Sequence, residues 1–246
     1  MPWRAHRTPY RVFVSEIMLQ QTGIARVWEP YKRFLRRFPS FAALARASVA
    51  DVLDAWHGLG YNRRALALRE SARLISTTHG GRLPRTAEEL RRLPGVGPST
   101  AAAILVYAFD LPVPFIETNI RRVFIHFFFP RTAGVADSKI LPLVQATMDR
   151  RRPREWFYAL MDYGTMLAQS GVNANRRSAI YKRQAPFEGS LRQLRGRVVA
   201  HLLKTGSDSL RGIRAAVGED RRVRQALDAL AAEGFLQRRS DRFSLK

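Results

Sequence analysis

The segment LPGVGPSTAAAIL, residues 93–105, constrains the fold of this chain more than any other segment. It sets two glycines and two prolines between a helical pattern and an apolar, alanine-rich run. Glycine adopts backbone angles that other residues avoid and lets another backbone come close. The second helix begins with N–H groups that have no partner inside the helix, and such groups favour a phosphate oxygen. The sequence therefore predicts two helices joined by a hairpin that binds an anion. The residues expected at the anion are Gly95, Val96, Gly97, Ser99 and Thr100.

The charge of the chain points to the same class of partner. Its 246 residues contain 42 Lys and Arg against 20 Asp and Glu, which gives a formal net charge of +22. A chain this basic favours polyanions, and nucleic acid is the leading class, with an anionic membrane surface as the competitor. No apolar run approaches the roughly 18 residues of a membrane span, and the first residues lack a signal-peptide core. We therefore expect a protein of the cytoplasm that is associated with the nucleoid and not with a membrane.

Cysteine is absent from the sequence, and the five histidines are scattered. Disulfides, thiolate zinc sites, cysteine nucleophiles and iron–sulfur clusters held by thiolates are therefore excluded. No cofactor and no protein-bound catalytic metal are expected.

Hydrophobic periodicity predicts an all-α fold. Apolar residues recur at steps of three and four from Ile24 to Phe38, and Thr86 with Glu89 forms a capping box before the hairpin. Pro, Gly and Ser in residues 184–190 predict a boundary between a domain of residues 1–185 and one of residues 190–246. The second domain reads as three helices followed by a hairpin, which is a winged-helix-like pattern. Its basic charge leaves DNA contact and protein binding both open.

Four motifs, in order and at their usual spacing, resemble the helix-hairpin-helix DNA glycosylases, and most of all the MutY-type adenine glycosylases. The motifs are SEIMLQQT (15–22), GLGYNRR (58–64), LPGVGPST (93–100) and ETNIRRV (117–123). The resemblance runs from residue 2 to about residue 168. It implies two α-helical lobes, residues 23–115 and the flanking chain ends, with the active site in the cleft between them.

The chain departs from that family's pattern in four places. Ala168 stands where the first of four iron–sulfur cysteines is usual, so the resemblance implies that the cluster is lost. Glu117 stands where the family has an aspartate. The winged-helix-like segment takes the place of the domain that recognises 8-oxoguanine. The sequence also begins about one helix later than the resembling proteins do.

The resemblance assigns roles to three side chains, and the residues support them. Base excision needs an acid at the base and a carboxylate at the sugar, as in two-carboxylate glycoside hydrolysis. Glu16 matches the acid, and its apolar neighbours favour a raised pKa. Glu117 matches the sugar-side carboxylate, and Asn119 matches a residue that orients the water or that carboxylate. The alternative for both glutamates is a buried carboxylate satisfied by a helix cap.

Ser99 decides between two chemistries. In the bifunctional relatives this hairpin position is a lysine that attacks the sugar and cuts the strand. A serine cannot form a Schiff base, so water is the expected nucleophile. The resemblance therefore implies a monofunctional enzyme without lyase activity.

Further residues match positions that contact DNA or the base. Gln20, Gln21 and Tyr61 match residues that fill the gap left by a flipped base, where aromatic stacking contributes roughly 1–3 kcal/mol per base. For Tyr61 the alternative is a core aromatic at a helix end. The weaker matches to the base pocket are Trp3, Arg4, Leu19 and Asp162. The aromatic residues expected in the core are Phe127, Phe128, Phe129 and Trp156.

The predicted function is a glycosylase that removes a mispaired or damaged base, adenine opposite guanine or 8-oxoguanine, from double-stranded DNA. One alternative is a thymine or uracil mismatch glycosylase. Another is a non-catalytic DNA-binding protein, although such a protein has no need of carboxylates facing a phosphate-rich partner. A monomer is expected.

Overall fold

The structure is a computed structural model that describes residues 2–182, 186–218 and 221–246. It is mainly helical, which confirms the all-α prediction. The first part contains α1 (Pro2–Ala5), α2 (Pro9–Leu19), α3 (Ile24–Arg37), α4 (Phe41–Arg46), α5 (Val49–Ala55), α6 (Arg63–Thr78), α7 (Ala87–Arg91), α8 (Pro98–Phe109), α9 (Thr118–Phe128), α10 (Asp137–Thr147), α11 (Pro153–Gln169) and a 3₁₀ turn at Ala174–Arg177. The second part contains α12 (Leu191–Thr205), β1 (Ser207–Ser209), α13 (Leu210–Val217), α14 (Val223–Ala232), β2 (Leu236–Arg239) and β3 (Arg242–Leu245). In the described ranges no helix combines the length and apolar character needed to cross a membrane.

Two hydrophobic cores divide the first part into lobes. The first core holds buried residues of α1 to α7, some of α8 and those of the second part of the chain, and the second core holds those of α8 to α11. Helix α2 serves both cores, because Phe13 and Ile17 lie in the first while Val12 lies in the second. Helix α8 packs along α2 and is shared in the same way. The two lobes therefore meet along the α2–α8 contact, and a side chain on either helix can reach the cleft.

The ends of α2 and α8 follow from local sequence. The Thr8 hydroxyl accepts a hydrogen bond from the Arg11 N–H, and Pro9 occupies the first turn, where its missing N–H costs nothing. Helix α8 likewise begins with Pro98 after Gly97, but no side chain caps it. Its first N–H groups therefore remain open to a ligand, as the sequence predicts.

Arg64 joins the loop before α6 to the end of α2. Its buried guanidinium donates to the carbonyls of Met18 (2.8 Å) and Gly60 (3.0 Å) and to the Thr22 hydroxyl (2.9 Å). It also donates to the carbonyls of Ile17, Gln20 and Leu59. This one side chain satisfies carbonyls at the C-terminus of α2, where helices leave acceptors unpaired. It thereby fixes the backbone of the segment that follows α2.

The second part has the element order of a winged helix, with a three-stranded sheet in the order β1-β3-β2. Strand β1 is a short addition to the predicted hairpin, and it pairs Asp208 with Phe243. The second part packs on the first: Glu233 accepts from Arg63 of α6, and the Ala50 N–H donates to the Lys246 carbonyl at 3.2 Å. Within the second part, Glu233 also accepts from Arg195 of α12. The Arg63 and Arg195 guanidinium groups lower the pKa of Glu233 to about 2. The predicted linker spans residues 184–190, and its first two residues lie outside the described residues.

Two of the aromatic residues expected in the core are not there. Phe127 and Phe128, at the C-terminal end of α9, are 55% and 50% exposed, so the prediction was wrong for both. Phe129 and Trp156 are packed against the second core and are partly buried. The run of three phenylalanines spans most of a helical turn, so its members cannot all face the same core.

Candidate active site

A cavity of about 460 Å³ lies in the cleft between α2, α8, α9 and α11. Its volume is within the range of small-molecule sites, roughly 300–1,000 Å³. Most of the predicted site residues line it: Trp3, Arg4, Glu16, Leu19, Gln20, Gln21, Ser99, Thr100, Glu117, Asn119 and Asp162. These residues come from distant parts of the chain, and they meet because α2 and α8 run along the same boundary between the lobes.

Glu16 projects into the cavity from α2. Burial is the main cause that raises the pKa of its carboxyl to about 8, and the nearby charge of Glu117 adds to the effect while Arg4 opposes it. A carboxyl with this pKa is mostly protonated at neutral pH, so it can give a proton to a bound group.

Glu117 is the N-cap of α9. Its carboxylate accepts hydrogen bonds from the backbone N–H groups of Asn119 and Ile120, the second at 2.8 Å. Burial raises the pKa of Glu117, whereas the two N–H donors and the positive charges of Arg121 and Arg122 lower it. Burial is the largest of these effects, so the pKa of Glu117 is raised overall, as that of Glu16 is; of the two glutamates, only Glu117 accepts backbone N–H groups of the described residues, which favour its ionised form. Glu117 therefore caps α9, as expected of a structural glutamate, and it also lines the cavity.

Asn119 is held in the cavity wall by groups that the sequence analysis missed. Its side-chain oxygen accepts from Arg122 at 2.6 Å, and the same Arg122 nitrogen donates to the Gly164 carbonyl at 2.7 Å. The Asn119 amide nitrogen is then the group that can donate toward the cavity. Helices α9 and α11 approach so closely at Gly164 that no side chain fits there. A Cβ at this residue would lie 2.6 Å from the Asn119 carbonyl oxygen. A lone glycine in a helical pattern was the only sequence signal for this contact.

The hairpin lies at the mouth of the cavity. Gly95 has φ +76°, and an added Cβ would approach the Ala67 side chain to 3.0 Å, so both the conformation and the space favour glycine. The hairpin motif predicts an open N–H at Val96. In the structure this N–H donates to the Leu93 carbonyl at 3.2 Å, and the Val96 side chain is buried. The N–H groups of Gly97, Ser99 and Thr100 have no partner among the described residues, so they are the open donors at the start of α8.

Of the three predicted wedge residues, Gln20 and Gln21 line the cavity and Tyr61 does not. Gln20 donates to the Gly95 carbonyl (3.0 Å) and to the Thr100 hydroxyl (3.2 Å), which ties the end of α2 to the hairpin. Gln21 follows it with a left-handed φ of +52°. Tyr61 does not line the cavity; it lies in the loop before α6, with φ +48°, and its hydroxyl accepts from Arg192 of α12 at 2.9 Å.

Arg4 and Asp162 form an ion pair at 2.7 Å across the cavity wall. The Arg4 guanidinium also lies 4.1 Å from the centre of the Tyr158 ring. Trp3 is buried and packs edge-on against Tyr31, with ring centres 5.5 Å apart. All four weak sequence matches line the cavity, and Tyr158 lines it too without any sequence signal.

The end of α11 and the segment that follows it do not fit an iron–sulfur cluster. Ala168, at the place implied for the first ligand, carries only a methyl group, and the chain contains no cysteine. Protein hydrogen bonds hold this segment instead: Asn175 donates to the Thr118 carbonyl at 2.9 Å, and Val135 donates to the Arg177 carbonyl at 2.8 Å. The segment therefore packs on the start of α9 through its own backbone and side chains.

Residues 14–140 match the family model described as HhH-GPD superfamily base excision DNA repair protein. The chain is 33% identical over 171 residues to the adenine DNA glycosylase of Buchnera aphidicola, a match that covers 68% of this chain and 48% of that protein. It is 31% identical over 265 residues to the adenine DNA glycosylase of Mycolicibacterium smegmatis, covering 100% of this chain and 90% of that protein. A solved thermostable thymine-DNA glycosylase superposes with a TM-score of 0.61 at 26% identity, over 68% of this chain and 79% of that chain. The chain thus spans about half the length of one relative and nine-tenths of the other.

Proposed function

Because this chain belongs to the HhH-GPD superfamily of base excision DNA repair proteins, we propose that it is a monofunctional DNA glycosylase that removes adenine opposite guanine or 8-oxoguanine. The observation that carries the proposal is the pair of glutamates in one cavity, Glu16 with a pKa raised to about 8 and Glu117 with backbone N–H donors. Two carboxyls with separated protonation states are what hydrolysis of a glycosidic bond requires. Similarity to adenine DNA glycosylases supports the choice of base.

The hairpin and the cavity bind different parts of the DNA. The first-turn N–H groups of α8 receive a phosphate, and the chain's positive charge strengthens the contact with the DNA backbone. The target base leaves the stack and enters the cavity, since its glycosidic bond is out of reach inside the duplex. Gln20 and Gln21, at the mouth, are placed to contact the gap that the base leaves.

Bond cleavage follows from the positions of the two glutamates. Glu16 transfers its proton to a ring nitrogen of the purine, which makes the base a better leaving group. The bond between sugar and base breaks with its electron pair on the base, and the ionised Glu117 stabilises the positive charge that develops on the sugar. A water molecule, oriented by Asn119 and Glu117, adds to the sugar carbon and gives its proton to the Glu117 carboxylate. The products are a free base and an intact abasic strand.

A second candidate is the removal of thymine or uracil from mismatches with guanine. The structural similarity to a thermostable thymine-DNA glycosylase favours it. Duplexes containing A:G, A:8-oxoG, T:G and U:G pairs test both candidates in one set of single-turnover assays. Excision from the two adenine pairs alone supports the first candidate, and excision from the T:G and U:G pairs alone supports the second. No excision from any of the four contradicts both.

We predict that the product strand stays intact until it is treated with alkali. Ser99 stands at the hairpin position, and none of the described residues that line the cavity is a lysine, so no imine forms with the sugar. The assay uses an end-labelled duplex, scored with and without alkali, and sodium borohydride to trap any imine. A borohydride-trapped adduct, or strand breaks without alkali, would contradict the monofunctional mechanism.

We predict that Gly164→Ala slows excision at least tenfold. The added methyl group meets the Asn119 backbone, so α9 and α11 must separate and Asn119 must move, and a displacement of about 1 Å can cost ~10²-fold in rate. Single-turnover excision and thermal unfolding measure the two effects. Gly196→Ala on α12 is the matched control, because its added Cβ meets nothing within 4 Å. Equal rates for the Gly164 and Gly196 variants would show that this contact does not matter for catalysis.

A further inference from the structure

One side of the three-stranded sheet in the second part of the chain is polar throughout. Paired residues of neighbouring strands point to the same side of a sheet, and successive residues of one strand point to opposite sides. The register therefore places six residues on one side, and none of them is buried. We call this side the outer face, and its residues are Ser207, Ser209, Gln237, Arg239, Arg242 and Ser244.

The opposite side of the sheet packs on the helices of the second part. Leu236 and Phe243 are buried there, in the same hydrophobic core as residues of α12 and α14. Asp208 also lies on this side, with its carboxylate 2.8 Å from Nε2 of His201 on α12. The outer face thus carries no carboxylate, since the other acidic residue of these strands and their turn, Asp241, lies in the turn between β2 and β3.

Two arginines lie opposite each other on the outer face. Arg239 of β2 and Arg242 of β3 are paired in register and exposed, and neither forms an ion pair with a residue in the described ranges. Like charges that face each other across two strands repel and destabilise a sheet. The Arg242 guanidinium is nevertheless held in place, because it donates to the Ser207 hydroxyl at 3.1 Å and to the Ser207 carbonyl at 2.7 Å. Such a pair of positive charges favours binding of an anion that contacts both.

The chemistry of the outer face suits the backbone of a nucleic acid. Proteins contact phosphates and sugars mainly through arginine, lysine, hydroxyl and amide side chains, and the outer face consists of arginine, serine and glutamine. The exposed side of α14 is less suited, because its Arg224 is already paired with Asp228 at 3.3 Å. DNA is the favoured polyanion, because it is the proposed partner of the first part of this chain, whose net charge is +22.

We propose that the outer face binds the phosphate backbone of double-stranded DNA, with Arg239 and Arg242 each contacting a phosphate. This contact goes beyond the proposed function, because excision takes place at the cavity of the first part. Phosphate contacts carry no sequence information, so the outer face contributes affinity for any duplex, with or without a lesion. Of the two partners that the charge of the second part left open, DNA and protein, the outer face favours DNA.

The test measures binding of an undamaged duplex at several salt concentrations, with the wild-type protein and with the double variant Arg239→Gln/Arg242→Gln. Each phosphate contact releases counter-ions and contributes about 0.9 to the slope of log affinity against log salt. We therefore expect the double variant to reduce the slope by about 2 and to bind at least about tenfold more weakly at low salt. Single-turnover excision at saturating protein should keep the wild-type rate, because the cavity is unchanged.

The matched control is the double variant Arg197→Gln/Arg224→Gln, which removes two exposed arginines from α12 and α14 and leaves the outer face intact. Its affinity should stay within a few-fold of the wild type. Equal weakening in both double variants would show that only net charge matters. Unchanged affinity and slope in the Arg239/Arg242 variant would show that the outer face does not contact DNA and would point to a protein partner. Either result overturns the proposal.

A single variant covers the case in which loss of the Arg242 bonds disturbs the sheet. Arg239→Gln breaks no bond to a described residue, so it should lower the slope by about 1 at an unchanged melting temperature. An unchanged slope in this variant would also contradict the proposal. A wild-type protein that excises no base would remove the proposed function but not this contact, because the binding test uses an undamaged duplex.

Discussion

Replacing Glu16 with glutamine will reduce the rate of excision at least 100-fold and leave duplex binding within a few-fold of the wild type. The amide keeps the shape of the side chain but has no acidic proton to transfer to the base. General acid catalysis typically contributes ~10²–10⁴-fold, so the loss is large if Glu16 is the acid. Single-turnover excision and a binding titration with the same duplex measure the two quantities. A variant that excises within threefold of the wild type would contradict the assignment.

The dependence on pH gives an internal control for Glu16. Its pKa of about 8 means that the wild-type rate should fall as pH rises through 8, when the acid loses its proton. The folded protein holds this proton between about pH 4.5 and 8, whereas an unfolded glutamate has lost it, so the Glu16 contribution to the free energy of unfolding declines as pH rises through that window. Glu16→Gln removes the titration, and its melting temperature should rise relative to that of the wild type over the same window. If the melting temperatures of the wild type and the variant depend on pH in the same way, Glu16 has an ordinary pKa.

Replacing Glu117 with alanine will nearly abolish excision, by at least about 100-fold. The variant leaves the positive charge on the sugar without a counter-charge, and electrostatic stabilisation of a transition state is worth ~10²–10³-fold for a single group. The same change removes the cap of α9, which costs about 1 kcal/mol of folding stability. Single-turnover rates and chemical denaturation, measured on the same samples, separate the catalytic loss from the loss of the cap.

Two further variants separate the cap from the charge at residue 117. Asparagine is a good N-cap without a negative charge, so Glu117→Asn should keep the stability and remain nearly inactive. Aspartate keeps both functions but draws the carboxylate back by about one bond, so Glu117→Asp should change the rate or the base preference. Full activity in the asparagine or the alanine variant would refute the two-carboxylate mechanism.

The sequence by itself determined the local features of this protein. Pro98 and Gly97 start α8, Thr8 caps α2, and the three-to-four-residue period places α3, because each of these depends on neighbours within one helical turn. The open N–H groups at the hairpin are predictable for the same reason. Val96 is the exception, since the partner of its N–H depends on how tightly the turn closes.

The resemblance in the order of the motifs also predicted which distant residues line the cavity. Glu16, Ser99, Glu117 and Asp162 line one cavity, although they are separated by as many as 146 positions (162 minus 16). Periodicity alone contains no information about which helix faces which across such distances. The order and spacing of the motifs supplied it, because they select one known arrangement of helices.

Only the tertiary structure decided the contacts between elements that belong to this chain in particular. Gly164 is recognisable as a packing residue only when α9 lies against α11, and Tyr158 is recognisable as a cavity residue only when it stacks on Tyr107. The docking of Glu233 on Arg63 and the exposure of Phe127 were equally hidden. In each case the energy comes from side chains brought together by the packing of whole helices, and no short stretch of sequence records which partners that packing will supply.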